Sequence, residues 1–210
     1  MSTPIFFVAA LAVSQVDVSC IPIDLRQQLE QRASVDQTAR RAYIESKGSK
    51  ATEEAVLSID ADNRAWFRTT LEKCGWPTKS TVGEQAATGA WLIAQHADMD
   101  SAFQLFAVSK LKAAVLAGEA DGEKLALLVD RNRRLQKQPQ VYGMQFNIQD
   151  KSKIVFLPVE APESLNQRRK EIGIEPFTCH IHFVTTNNSM PATWPLGVPY
   201  EPCVSIHTHH

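Results

Sequence analysis

The chain has 210 residues, 44% of them hydrophobic and 21% charged, with 22 Lys and Arg against 23 Asp and Glu. This composition is globular and long enough for one real core, which excludes a collagen-like, wholly disordered or disulfide-only chain. A net charge of -1 supplies no global field toward nucleic acid or anionic lipid, and no apolar run approaches the roughly 20 residues that span a bilayer.

The N-terminus carries a short apolar run, Ile5 to Val13, followed by the small residues of Ala12-Val13-Ser14. The pattern predicts a signal peptide within residues 1–20, although no Lys or Arg precedes the run. The alternative is an apolar first element of a cytoplasmic protein. Cys20 follows Asp17-Val18-Ser19, a poor match to the small apolar residues that precede a lipid-modified cysteine.

Helical periodicity then dominates to about Gln136. Asp24 is placed to cap a first helix running to Glu45, and Gly48 ends it. A second helix is predicted from about Thr52 to Lys73, closed by Gly75-Trp76-Pro77. Thr81 and Glu84 have the spacing of a capping box. The helix that follows, through Ala86-Ala87-Thr88-Gly89-Ala90-Trp91-Leu92-Ile93-Ala94, is apolar or small all round and should be the central one. Asp100 and Asp121 are placed to cap a fourth and a fifth helix.

After Pro139 the period changes. Residues 140–148 alternate like a strand, and 153–158 can return antiparallel to them. A last helix is predicted from about Pro162 to Ile172. The fold class is mainly α: a single-domain helical bundle over residues 21–176, with a small β-hairpin near its C-terminal third. Residues 177–210 form a Pro- and His-rich tail that holds five of the six histidines.

Four cysteines, at 20, 74, 179 and 203, show no C-x-x-C spacing, so a zinc knuckle or a redox pair is disfavoured. Their even number fits disulfides in an exported protein, with Cys179 and Cys203 placed to tie the tail to itself; four buried thiols are the cytoplasmic alternative. His180-x-His182 and His207-Thr208-His209-His210 offer imidazoles, but no carboxylate or cysteine sits at ligand spacing beside them, so no metal site is assigned. No cofactor motif occurs either, and neither does a G-x-S-x-G, an H-E-x-x-H or a Gly-rich phosphate loop.

The chemistry-bearing residues interrupt apolar runs. His96 directly follows the central helix and is the one histidine in the domain body. With a carboxylate to orient its ring, Asp130 or Asp60, it can act as a general acid or base. Tyr142 can donate to a developing oxyanion, while Gln95, Gln140 and Gln145 can orient a polar substrate. The blander readings are a satisfied core histidine for His96 and a helix-end ion pair for Asp130-Arg131. Asp36 and Arg40 read as an ordinary i,i+4 pair.

Asp36-Gln37 with Arg40, Ile59-Asp60 with Asn63, Gly75-Trp76-Pro77, Gln95-His96-Ala97-Asp98, Asp130-Arg131 and Gln140-x-Tyr142-Gly143-x-Gln145 together resemble a widespread bacterial domain of unknown function. That family is marked by GWP, QH, DR and QxYGxQ signatures in this order. The likeness covers about residues 25–176, with Asn166-Gln167-Arg168-Arg169 near its end. It departs from the pattern at Met144, where a small residue is usual, and in the His-rich tail. Members often follow signal peptides or lipoprotein signals, so the resemblance implies export to the periplasm or beyond; it implies no activity.

Two functions follow as expectations. One is an enzyme with His96, Asp130 and Tyr142 as catalytic residues, acting on an amide- or glycan-like bond. Asp60, Asn63, Gln95, Arg131, Gln140 and Gln145 would bind its substrate. The other is a non-catalytic module of the cell envelope that binds a peptide or small polar molecule through the same residues. A sealed hydrogen-bond network that fixes helix ends is the third, purely structural, reading.

Overall fold

The computed structural model describes residues 18–203. The apolar run assigned to a signal peptide and the histidines at 207, 209 and 210 lie outside the described residues. The fold is mainly α, as the periodicity indicates. The helices are α1 (Pro22–Glu45), α2 (Lys50–Cys74), α3 (Lys79–Val82), α4 (Glu84–Gln95), α5 (Ser101–Leu116), α6 (Gly122–Leu135), α7 (Leu165–Glu171) and α8 (Phe177–Asn188). The strands are β1 (Phe146–Gln149), β2 (Lys153–Phe156) and β3 (Ala192–Thr193). No helix among the described residues is long and apolar enough to cross a membrane.

The all-round apolar helix is central: α4 packs on α1, α2, α3, α5 and α6. Its small residues permit this. A Cβ on Gly89 would sit 3.0 Å from the Leu29 carbonyl oxygen and 3.2 Å from Ala33 Cβ, so a larger residue would push α1 away. Around α4 the buried core gathers Leu29, Trp66, Phe67, Leu71, Phe103, Leu111, Leu125 and Leu128. A second apolar cluster joins the sheet to α7 and α8 through Ile154, Phe156, Leu165, Phe177 and Val184.

Asp100 and Asp121 cap α5 and α6 as expected, accepting from the N–H groups of Phe103 and Glu123 at 2.8 Å each. Two other caps differ. The capping box closes on Thr78 and Thr81 around the single turn of α3, and Gly83, at φ 82°, then separates α3 from α4. Helix α1 begins at Pro22, whose missing N–H suits a first helical position, while Asp24 instead accepts from Ser19 Oγ at 3.0 Å.

The hairpin is shorter than the alternation implies. β1 starts at Phe146 and pairs antiparallel with β2, with Phe146 opposite Phe156. Residues 141–144 do not join the sheet because the backbone N–H groups of Val141, Tyr142 and Met144 all donate to Asp130. β3 adds to the other side of β2 in parallel, with Ile154 opposite Ala192. The segment read as a tail therefore contributes a helix, a strand and part of a core. Disulfides join Cys20 to Cys74 and Cys179 to Cys203.

Candidate functional site

Arg32, Asp36 and Arg40 recur every four residues on α1, and so form one stripe along the helix. Asp36 is only 2% exposed, and a buried carboxylate must find partners or lose its charge. It finds several. Gln37 Nε2 donates to its Oδ2 at 2.8 Å, and Arg40 Nε donates to its Oδ1 at 3.0 Å. The third partner is His96, at the C-terminal cap of α4, whose Nδ1 lies 3.0 Å from Asp36 Oδ2. Arg40 also reaches across to α2, where its Nη2 donates to Asp60. One turn further along, Arg32 Nη1 donates to Asp62 Oδ2 at 2.6 Å and to Asn63 Oδ1 at 2.9 Å.

The same environment drives the two carboxylates apart. Burial by itself would raise Asp36, but the His96 hydrogen bond and charge, with Arg40 and Gln37, outweigh it and hold the carboxyl below its ordinary value. Asp60 goes the other way: burial raises it, with the Asp36 charge adding to the effect, and Arg40 compensates only in part. Paired carboxyls separated in this way are a frequent signature of acid–base sites.

His96 Nδ1 has two neighbours that demand different tautomers. Asp36 requires a proton on Nδ1, whereas Arg40 Nε, also 3.0 Å away, would require an Nδ1 lone pair. Arg40 Nε already has Asp36 as acceptor, and an unprotonated Nδ1 would set its lone pair against a carboxylate. The Nδ1–H form therefore satisfies all three groups best. It leaves Nε2 as the ring's acceptor, and no hydrogen bond engages Nε2 among the described residues.

A family model matches residues 23–190, from the first turn of α1 to the end of α8, and so spans the whole of this arrangement. The chain belongs to DUF6624, a family of unknown function. No curated protein and no solved structure matches it. The match runs past the 25–176 of the sequence resemblance and takes in α8.

Of the residues singled out in the sequence, the DUF6624 fold brings His96 and Asp60 together, with Asn63 one turn away on α2. Asp130 does not orient His96. It is fully buried, and its two oxygens accept from the N–H groups of Val141 at 2.7 Å, Tyr142 at 3.1 Å and Met144 at 2.8 Å. Gln140 serves the same loop: its Oε1 accepts from the Gln145 N–H at 2.7 Å, and its Nε2 donates to the Leu157 carbonyl at 2.7 Å. The Tyr142 carbonyl accepts from Arg169 Nη1 at 2.7 Å. Gln145 Oε1 faces Arg134 Nη1 at 3.5 Å. Arg131 pairs with Asp98, and the Gln95 carbonyl accepts from Gln104 Nε2 at 3.2 Å.

The polar residues thus divide into a loop-holding set around Asp130 and an ionic set around Asp36. The second contains the residue that sequence reasoning passed over. Asp36 looked like half of a surface ion pair because its partner in the chain, Arg40, lies at the ordinary spacing. The signal available was its place in the Asp36-Gln37 motif shared with Arg40.

Ligand atoms of Asp36, Asp60 and His96 lie within 4.8 Å of one another, close enough to share a cation. The Arg40 guanidinium already bridges the two carboxylates, so a metal ion there would have to displace it. Glu175, Cys179 and Cys203 also converge, but both cysteines are spent in a disulfide and offer no thiolate.

Proposed function

We propose that this protein is an enzyme of the bacterial cell envelope in which His96 acts as general acid and base on a polar, amide- or glycan-like substrate. The observation that carries the reading is the buried Asp36 carboxylate held 3.0 Å from His96 Nδ1. A carboxylate there fixes the tautomer and stabilises the imidazolium that forms when Nε2 takes a proton. Nε2 would remove the proton from an attacking water or hydroxyl and return it to the leaving group. Arg40, tied to both Asp36 and Asp60, keeps the carboxylate from turning away. Gln37, which donates to Asp36, also lines a groove of about 310 Å³ between α1 and α4, together with Gln85, Thr88 and Leu92. Leu92 lies one turn before His96, which is not itself among the residues that line the groove.

The envelope part of the proposal draws on the two disulfides, which persist where thiols are oxidised, and on the N-terminal apolar run. A second reading, a non-catalytic binding module, draws on Arg40: a guanidinium already spanning two carboxylates fixes a polar cluster that can hold a ligand without proton transfer.

The test is a substrate screen over peptide amides, N-acyl amino acids and amino-sugar glycosides with wild-type protein and His96→Ala and Asp36→Asn variants. His96→Ala should lose about 10²–10⁴-fold in turnover, with its circular dichroism and melting temperature close to wild type. Turnover equal in wild type and His96→Ala contradicts the assignment. A substrate bound by wild type but never turned over supports the binding module instead.

A further inference from the structure

A second cavity, of about 290 Å³, opens where the start of α6 meets the α7–α8 link and α8. None of its lining residues belongs to the His96 cluster. Its walls include Asp121, the N-cap of α6, Glu123 of α6, Arg169 of α7, Glu175 of the link, and His180 and Phe183 of α8.

Arg169 is 3% exposed and rigidly held, with Nε donating to the Glu175 carbonyl and Nη1 to the Tyr142 carbonyl, each at 2.7 Å. Burial brings it down to about 10, which still leaves it charged at neutral pH. His180 is neutral there, lowered to about 4 by burial and then by the Arg169 charge. Its Nε2 is buried and has no hydrogen-bond partner among the described residues.

Facing this single cation are three carboxylates. Partial burial, then the like charges of Asp121 and Glu175, push the Glu123 carboxyl up. The lining therefore carries both a fixed positive group and carboxylates. A metal ion fits poorly: Asp121 and Glu123 are in none of the clusters whose ligand atoms converge within 4.8 Å among the described residues. Phe183, 59% exposed, adds an aromatic face to the same lining, and Ile174 adds an aliphatic one.

We propose that this cavity binds a small zwitterion of the α-amino-acid class. Its carboxylate pairs with Arg169, its ammonium lies against Asp121 and Glu123, and its side chain packs on Phe183 and Ile174. The volume suits a molecule of that size. A molecule carrying both charges pairs with both kinds of group in the lining, which a simple amine or a simple carboxylate cannot do.

The experiment is calorimetric and NMR titration of the full chain with each of the twenty standard amino acids, followed by the N-acetyl form of each one that binds and by propylamine. At least one amino acid should bind, with shifts at Glu123 and Phe183. Acetylating the amine, or replacing Glu123 by Gln at its exposed position, should weaken that binding by about tenfold or more, as loss of a charged hydrogen bond implies. His96→Ala should leave it unchanged, so failure here and failure of the catalytic reading remain distinguishable. Binding of none of the twenty, or equal binding of the amino acid, its N-acetyl form and propylamine, overturns the proposal.

Discussion

Asp130→Ala is expected to destabilise the protein by about 3–5 kcal/mol, a large share of the stability of an ordinary domain. The carboxylate is fully buried and is the acceptor for three backbone N–H groups in residues 141–144. Alanine leaves those donors in the interior with neither acceptor nor water, and each unsatisfied group costs about 1–3 kcal/mol. The loss propagates, because the Tyr142 carbonyl in the same loop anchors Arg169, and Arg169 in turn holds the Glu175 carbonyl of the α7–α8 link. Asp130→Asn should cost less, about 2 kcal/mol, since one acceptor oxygen remains while its NH₂ turns toward N–H donors. Urea denaturation reads both. A cost below about 1 kcal/mol for Asp130→Ala would show that the loop does not depend on this carboxylate.

Reduction of the disulfides is the second large effect. Cys20–Cys74 ties the residue before the first described turns to the end of α2 across 54 residues of sequence. Opening a loop of that length returns about 4 kcal/mol of chain entropy to the unfolded state in the loop-closure model. Cys179–Cys203 closes a shorter loop of 24 and holds α8 to the final described segment, so its loss should be felt first in the second apolar cluster. Melting the protein with and without dithiothreitol should show a drop of 10 °C or more, about the size expected when several kcal/mol are removed from a domain of this length. An unchanged melting temperature would mean that the apolar clusters hold the fold without the cystines.

Much of the helical framework was legible because it rests on local chemistry. Asp100 and Asp121 cap helices where a short side-chain oxygen precedes an apolar period, and α4 is central because a helix with no polar face has nowhere else to go. What failed was local pattern overridden by one distant group. Residues 140–145 alternate as a strand does, yet Asp130 captures the N–H groups of Val141, Tyr142 and Met144, and that capture cannot be read from alternation. Helix α8 was hidden for another reason: His180, His182, Thr185 and Thr186 dilute the apolar positions Phe177, Ile181 and Val184 that bury it.

The candidate site was half visible. His96 and Asp60 stood out by type and position, but their true partner, Asp36, carries the same i,i+4 signature as any solvated ion pair. Only the packing of α1 on α4 turns it inward. Sequence neighbours also misled: Asp130-Arg131 looked like one unit, while its members face different partners, the 141–144 loop and Asp98.

In the proposed mechanism Asp36 fixes His96 with its proton on Nδ1 and leaves Nε2 to exchange protons with a substrate. Long-range ¹H–¹⁵N NMR of the imidazole, recorded where the ring is neutral, tests this without knowledge of any substrate. The wild type should show the Nδ1–H tautomer, and Asp36→Ala should lose that preference. An Nε2–H tautomer in the wild type, with Nδ1 accepting from Arg40, would contradict it and leave the cluster as an ionic clamp between α1, α2 and α4.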